Sequence, residues 1–391
     1  MSSYRIPFNK PHLTGNEWRY MSEALAAGHS SGDGPFTRKC HAALEQLLGA
    51  PKVLLTTSCT HALEMAALLL NVGPGDEVIV PSFTFVSTVN AFVLRGARPV
   101  FVDIRPDTLN LDEELLEAAI TPRTRAILAV HYAGVGCEME RILQIASRWR
   151  IPVVEDNAHG LFGKYRGRAL GTFGALATQS FHETKNVICG EGGALVLNDA
   201  AYCERAEIIR EKGTDRSRFF RGQVDKYTWT DIGSSYLPSD ILAAFLLAQL
   251  QAHGGIQAQR KAIWRRYYDG LASWAERHSV RMPHVPEHCE QPYHMFYLLM
   301  PSGESRKALI EHLKSRGILA VFHYVPLHLS GMGRKFGGGE GDCPVTEHVS
   351  DCLVRLPFFY DLSESEQAEV MDAVTQFSQF APKTLVQAGA E

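Results

Sequence analysis

From residue 51 onward, apolar and polar positions along the chain alternate in blocks. Lys52 to Thr56 reads as a short strand, and Thr60 to Leu70 as a strongly apolar helix stopped by Gly73-Pro74-Gly75. Glu77 to Val80 is a strand, Thr84 to Leu94 a helix and Pro99 to Val102 a strand. The helix Asp112–Ile120, the strand Ala126–His131, the helix Glu138–Arg148 and the strand Ile151–Glu155 continue the pattern. Two more strands, Gly174–Gln179 and Gly192–Leu197, flank a polar stretch. The strands are unbroken apolar runs, which predicts a mainly parallel sheet covered on both faces. In such sheets ligands bind beyond the carboxyl ends of the strands.

The first 50 residues form a lead-in. Thr14 to Ala27 has helical periodicity, with Thr14 and Glu17 spaced as a capping box, and Pro35 to Leu48 is a second helix ended by Gly49. Between them Gly28–Gly34 is a loop rich in serine and glycine. After Ala200 the texture changes: helices are predicted over 200–212, 239–253 and 256–277, then a proline-bearing loop at 283–291. Helices near 306–316 and 363–377 and strands near 294–300 and 319–324 complete a smaller α+β unit. A chain of 391 residues is expected to divide in two, here as 1–250 and 251–391.

Composition narrows the function classes. A formal charge of −4 supplies neither a basic stripe for nucleic acid nor a cationic face for anionic lipid. No apolar run approaches a bilayer span, and Met1 to Pro7 lacks a signal-like core, so a cytoplasmic protein is expected. The eight cysteines are scattered without a C-x-x-C pair, which suits reduced thiols. Sixteen histidines show no H-E-x-x-H spacing, and no metal is expected.

The polar stretch Ser180-Phe181-His182-Glu183-Thr184-Lys185-Asn186 carries the candidate chemistry. A lysine just past a buried strand is either a solvated surface residue or a partly desolvated amine, and desolvation frees a neutral nucleophile for Schiff-base formation. Three βα loops bear on the choice. Thr57-Ser58-Cys59-Thr60 opens an apolar helix; Ser58 there is an N-cap, or with its neighbours an anion cradle. It lacks the glycine spacing of a nucleoside triphosphate loop. Val153 to His159 ends a strand on Glu155, Asp156 and His159; Asp156 is a helix cap, or the carboxylate that keeps a cofactor ring nitrogen protonated. Phe85, after Pro81-Ser82-Phe83-Thr84, belongs to the core or stacks on a planar ring. Taken together, these four features describe a pyridoxal phosphate site.

These motifs, with Gly190-Glu191-Gly192-Gly193, resemble those of the DegT/DnrJ/EryC1/StrS sugar aminotransferase family nearly end to end. The likeness implies the fold type I (aspartate aminotransferase-like) architecture, a large three-layer α/β/α domain with a smaller α+β C-terminal domain. Phe219 to Trp229 and Ala320 to Tyr324 bring the chain nearest the branch that makes dTDP-4-amino-4,6-dideoxyhexoses. By position, the resemblance implies that Lys185 bonds the aldehyde of pyridoxal 5′-phosphate and that Asp156 pairs with its ring nitrogen. His159 is then expected at the ring hydroxyl, Phe85 on the ring face, and Ser58, Cys59, Thr60 and Ser180 at the phosphate. Many relatives carry an asparagine that reaches the phosphate of the partner subunit's cofactor. Ser235 stands here instead and has a shorter reach. Asn157, where alanine is common, receives no role.

The implied reaction moves the amino group of L-glutamate, through pyridoxamine phosphate, to the C4 ketone of a dTDP-4-keto-6-deoxyhexose, in a homodimer with shared sites. For the nucleotide-sugar, Phe36 in the Gly32–Phe36 loop and the basic set Arg216, Arg218, Arg221 and Lys226 are candidates, the latter being otherwise a solvated charged loop. His323, Tyr324 and His328 line a sugar pocket or pack the small unit. Transamination at C3 remains open on residue chemistry. The pyridoxamine-dependent dehydratases of the family carry histidine in place of the lysine, so Lys185 argues against that activity. A silent homologue is expected to have lost Lys185 or Asp156, and a nicotinamide dehydrogenase needs a G-x-G-x-x-G that is absent.

Overall fold

The computed structural model describes residues 4–378. Seven strands form the central sheet: β1 (Lys52–Thr56), β2 (Glu77–Pro81), β3 (Arg98–Val102), β4 (Thr124–Val130), β5 (Val153–Asp156), β6 (Leu176–Ser180) and β7 (Gly193–Leu197). Their spatial order is β1-β7-β6-β5-β4-β2-β3. All run parallel except β7, which is antiparallel to both neighbours, with Gly193 opposite Thr56 on one side and Ser180 on the other. The carboxyl ends of β1, β2, β5 and β6 therefore share one edge with the amino end of β7.

Side-chain alternation along each strand feeds two separate layers. Leu54, Val80, Leu128, Val154 and Leu195 pack under the helices Cys59–Leu69 and Val86–Val93. On the opposite face Val53, Leu55 and Val196 meet the helices Pro35–Leu48 and Asp240–Gln251. Ile79, Ile127 and Val153 meet Met139–Trp149 on the same side. This is the three-layer arrangement that continuous apolar strands demand.

A second core gathers Ile263, Tyr267, Phe296, Leu298, Leu309, Val354 and Val370. It is built on the long helix His253–Arg277, the antiparallel pair Tyr297–Leu299 with Leu353–Arg355, and the helices Gly303–Ser315 and Glu364–Thr375. Ile6 belongs to this core and bridges Ile318, so the start of the chain packs with its C-terminal part.

Several elements differ from the sequence pattern. The helix over 112–120 is a 3-10 turn, Glu113–Leu115, followed by one α-turn, Leu116–Ala119. The strand at 319–324 is reduced to a single bridge between Val321 and Arg355. Pro344–Cys352 is a helix that the pattern did not show. At the N-terminus the first helix is Glu17–Ala26, and only half of the capping box forms: buried Glu17 reaches back to Thr14 N–H, while the Thr14 hydroxyl donates to that carboxylate. Its carboxylate accepts from Thr14 N at 2.7 Å, Thr14 Oγ1 at 2.8 Å, Gly15 N at 2.8 Å and Gln249 Nε2 at 2.7 Å. Among the described residues no helix is long and apolar enough to cross a membrane, and no group of three acidic, histidine or cysteine side chains is placed to hold a metal.

Candidate active site

The shared edge opens into a cavity of about 710 Å³. Its wall includes Ser58, Cys59, Thr60, Phe85, Asp156, His159, Ser180, Lys185, His323 and Tyr324. Four strand ends, the 181–192 loop and the 321–325 segment bring these residues together from across 267 positions of sequence, whereas Phe36, Arg218, Lys226 and Ser235 stand elsewhere.

Ser58 is the N-cap of Cys59–Leu69, in extended backbone, and its hydroxyl accepts the His61 N–H at 3.1 Å. The N–H groups of Cys59 and Thr60 lie in the first turn and have no acceptor within the helix. Gly193 lets this turn sit directly on β7: a Cβ there would lie 2.3 Å from the Ser58 carbonyl carbon. Thr60 Oγ1 is 2.8 Å from Ser87 Oγ, which adds Ser87 to the wall. Burial pushes the Cys59 thiol far up, with Asp156 adding to the effect.

Asp156 and Glu155, adjacent on β5, face opposite ways and do different things. Asp156 Oδ2 accepts from Thr88 Oγ1 at 2.7 Å and Oδ1 from Ala158 N at 3.2 Å, which aims the carboxylate into the cavity. Glu155 is wholly buried and accepts from Gly171, Phe173 and Gly174 N–H at 2.7, 2.6 and 2.7 Å and from His131 Nε2 at 2.9 Å. It ties the 171–174 loop to the sheet. Asn157 links Leu170 O and Gln179 Oε1 from the same strand end, at 3.0 and 3.2 Å.

Lys185 is half-buried because its side chain faces the cavity, and the surrounding wall lowers its pKa from 10.5 to about 8. Desolvation dominates; Cys59 and Asp156 pull the value back up, and Arg355 pushes it further down. His159 is buried, held well below its ordinary value by desolvation and then by Lys185 and Arg355, and its Nδ1 has no partner among the described residues. Phe85 is 56% exposed and leaves a ring face open to the cavity.

The remaining candidates divide. His323 Nδ1 is 2.9 Å from Tyr132 OH, and its ring stacks near Tyr324 at the cavity wall. His328 instead bonds Ser82 Oγ at 2.6 Å and Glu347 Oε1 at 3.0 Å, pinning the turn Leu327–Leu329 outside the cavity. Phe36 is a core residue beside Tyr20, because Asp240 caps its helix by accepting from Phe36 N and Thr37 N. Arg216, Arg218 and Arg221 pair with Glu211, Glu204 and Glu207 within the chain. Lys226 and Ser235 are exposed.

Arg355 escaped the sequence reading. It projects from the strand Leu353–Arg355 into the cavity, bonded to Phe322 O through Nε at 3.3 Å and Nη2 at 3.1 Å and lying 4.7 Å from the centre of the Phe8 ring. No carboxylate pairs with it among the described residues. The signal was available: it is a lone charge in the apolar run Leu353-Val354-Arg355-Leu356-Pro357-Phe358-Phe359.

A parallel-stranded three-layer sheet, a smaller C-terminal unit and a lysine on the loop before the antiparallel strand are the features of a fold type I, pyridoxal-phosphate-dependent aminotransferase. A family model matches residues 11–375, and the chain belongs to the DegT/DnrJ/EryC1/StrS aminotransferase family. An uncharacterised protein of Methanocaldococcus jannaschii, MJ1066, is 34% identical over 348 residues, which cover 87% of this chain and 89% of that one. Among solved structures, the aminotransferase TlmJ of Streptoalloteichus hindustanus is similar at 31% identity and TM-score 0.86, covering 95% of this chain and 98% of that one. The pyridoxal phosphate form of Spr1654 from Streptococcus pneumoniae, described as a sugar aminotransferase, is similar at 28% identity and TM-score 0.87, with the same coverage.

Proposed function

We propose that this chain transfers the amino group of L-glutamate to the C4 ketone of dTDP-4-keto-6-deoxy-D-glucose, giving a dTDP-4-amino-4,6-dideoxyhexose and 2-oxoglutarate. The observation that carries the reading is a lysine amine brought to about 8 in a cavity that also holds Asp156, His159 and the first turn of the 59–69 helix. The likeness to TlmJ and to the sugar aminotransferase Spr1654 supports the substrate class.

The cavity fits pyridoxal phosphate on three counts. Its volume is in the range of cofactor sites. The turn at 58–60 offers two N–H groups without intrahelical acceptors, with Ser180 on the same wall, where a phosphate would sit. Buried His159 Nδ1 lacks a partner, and the open face of Phe85 suits a flat ring. When bound, the cofactor supplies an aldehyde that bonds amines and a ring that takes up electron pairs.

The residues then divide the work. Lys185 would hold the cofactor through its amine, and as a free amine it would take a proton from the donor's α-carbon and return one to the sugar carbon. Asp156, aimed by Thr88, would keep the ring nitrogen protonated, and Ser58, Cys59, Thr60 and Ser180 would hold the phosphate. Arg355, a cation with no acid partner among the described residues, would receive a carboxylate of glutamate. His323 and Tyr324 face the sugar. In a homodimer, Arg218, on the short helix Arg216–Phe220, and the exposed Lys226 would meet the nucleotide diphosphate in the partner's cavity, and Ser235 would approach the partner's phosphate through water. NMR of the product from the 4-keto sugar nucleotide and glutamate tests the reading: an amine on C4 is expected, and an amine on C3 or a 3-deoxy product overturns it.

A further inference from the structure

Asn186 follows Lys185 directly, and its amide has one possible orientation. Pro292 O can only accept, and it lies 2.7 Å from Asn186 Nδ2 and 3.1 Å from Gln257 Nε2. The second Asn186 Nδ2 proton goes to Gln257 Oε1 at 3.0 Å. Asn186 Oδ1 is thereby left as an acceptor, and the atom facing it at 2.9 Å is His294 Nδ1. His294 must carry its proton there, with the lone pair on Nε2.

The same ring has a second contact. It lies nearly parallel to His159, centroids 4.4 Å apart and planes 20° from coplanar. Burial, then His159 and Lys185, hold His294 well below its ordinary value, so it stays neutral and the Nδ1–H tautomer persists. Its backbone is pinned as well: Arg260 donates through Nη2 to His294 O at 2.6 Å and through Nε to Tyr293 O at 3.0 Å. Arg260 and Gln257 are one turn apart on His253–Arg277.

We propose that His294 is a positioning residue of this enzyme, fixing through Asn186 the peptide that carries Lys185 and through its flat face the plane of His159. The inference rests on Lys185 being the lysine that bonds the cofactor. A lysine side chain has four rotatable bonds, so its nitrogen is aimed only if the backbone beneath it is held. The Nδ1–H bond to Asn186 is directional and supplies that hold. The stack on His159 couples the same ring to the opposite wall, so a rotation of His294 would disturb both groups together. Small errors of this kind weigh heavily on reaction rate because reacting atoms must lie within a narrow range of approach.

The test uses His294→Phe, which keeps the ring and removes the donor, His294→Asn, which keeps an N–H donor at the δ position and removes the ring, and Gln257→Leu, which removes the other side-chain partner of Asn186. Three readouts are compared with the unaltered enzyme: amide exchange of residues 185–188 in cofactor-free protein, the pH midpoint of the bound cofactor's absorbance, and kcat with KM. The charged and titratable groups facing Lys185 are Cys59, Asp156, His159, His294, His323 and Arg355, and of these only His294, itself neutral, is altered. In His294→Phe, exchange of 185–188 is expected to speed up about tenfold, the midpoint to move, and kcat to fall about tenfold with KM for glutamate within about twofold. His294→Asn recovers the exchange protection, and Gln257→Leu shows the same changes in smaller measure. Unaltered exchange and midpoint in His294→Phe overturn the proposal; if that variant fails to fold, the same result in Gln257→Leu does so. Retention of a reducible covalent cofactor by Lys185→Ala instead overturns the role of Lys185, leaving the exchange result to stand on its own.

Discussion

Arg355 shows what a single side chain contributes once its surroundings are known. A guanidinium in a cavity wall normally has an acid to answer it, and among the described residues this one has Phe322 O and the face of Phe8 instead. Its desolvation lowers its own pKa yet leaves it charged at neutral pH, ready for an anionic group that arrives from solution. Arg355→Met is expected to raise KM for glutamate about tenfold or more, as the loss of a charge-assisted bond does, while KM for the sugar nucleotide changes little. Steady-state kinetics with each substrate varied in turn checks this. Lys185 carries a pH prediction of definite sign. With its pKa brought to about 8, the amine becomes nucleophilic near neutrality, so cofactor-free enzyme should take up added pyridoxal phosphate at a rate that climbs with pH and levels off above about 8. The unfolded chain holds that proton up to the ordinary lysine value of 10.5, so this group adds stability to the cofactor-free enzyme as pH rises from about 8 toward 10.5. Stopped-flow absorbance across pH 6 to 10 is the measurement; a midpoint near 10.5 would contradict a desolvated amine. Lys185, Asp156, His159 and Ser58 were legible in the sequence because each sits where an apolar strand gives way to polar residues. Arg355 and His294 were hidden because their meaning depends on a cavity whose two sides are distant in sequence.

At the scale of elements, strand alternation separates two neighbouring acids. Asp156 faces the cavity, and Glu155, one residue earlier, faces the opposite layer, where it accepts four hydrogen bonds. The sequence shows two carboxylates at a strand end and cannot by itself say which one is structural; the pleat decides. Glu155→Ala leaves three buried backbone N–H groups without an acceptor and is expected to cost about 3–5 kcal/mol of stability, read as a fall in the denaturation midpoint. Asp156→Asn, by contrast, is expected to leave the melting temperature close to that of the unaltered enzyme while turnover collapses. The sheet was readable because its strands are continuous apolar runs. The short strand at 319–324 was misread for the converse reason: Val321 and Phe322 are apolar because they line the cavity, and only Val321 bridges another strand. The turn at 113–119 has the composition of a helix, but helical structure there is limited to one 3-10 turn and one α-turn.

The whole molecule places its chemistry by topology. Because β1 and β2 are consecutive in the chain yet five places apart in the sheet, the turn at 58–60 and the ring of Phe85 approach one cavity from separate strands. The second core closes it with Arg355, Tyr324 packs on a separate cluster with Phe83 and Tyr132, and Ile6 joins the second core from the N-terminal side of the chain. Outside the cavity, the 216–232 segment exposes Phe220, Tyr227, Trp229 and Ile232, an apolar surface that a homodimer with shared sites would cover. Light scattering at micromolar concentration is expected to give twice the chain mass, and Trp229→Asp to shift it toward the monomer. All of this depends on the amine at 185 being the point of covalent attachment. Borohydride reduction of the yellow holoenzyme followed by peptide mass mapping tests that most directly. The account predicts a phosphopyridoxyl mass on Lys185, lost together with turnover in Lys185→Ala; a label on another lysine, or full activity in that variant, would contradict it.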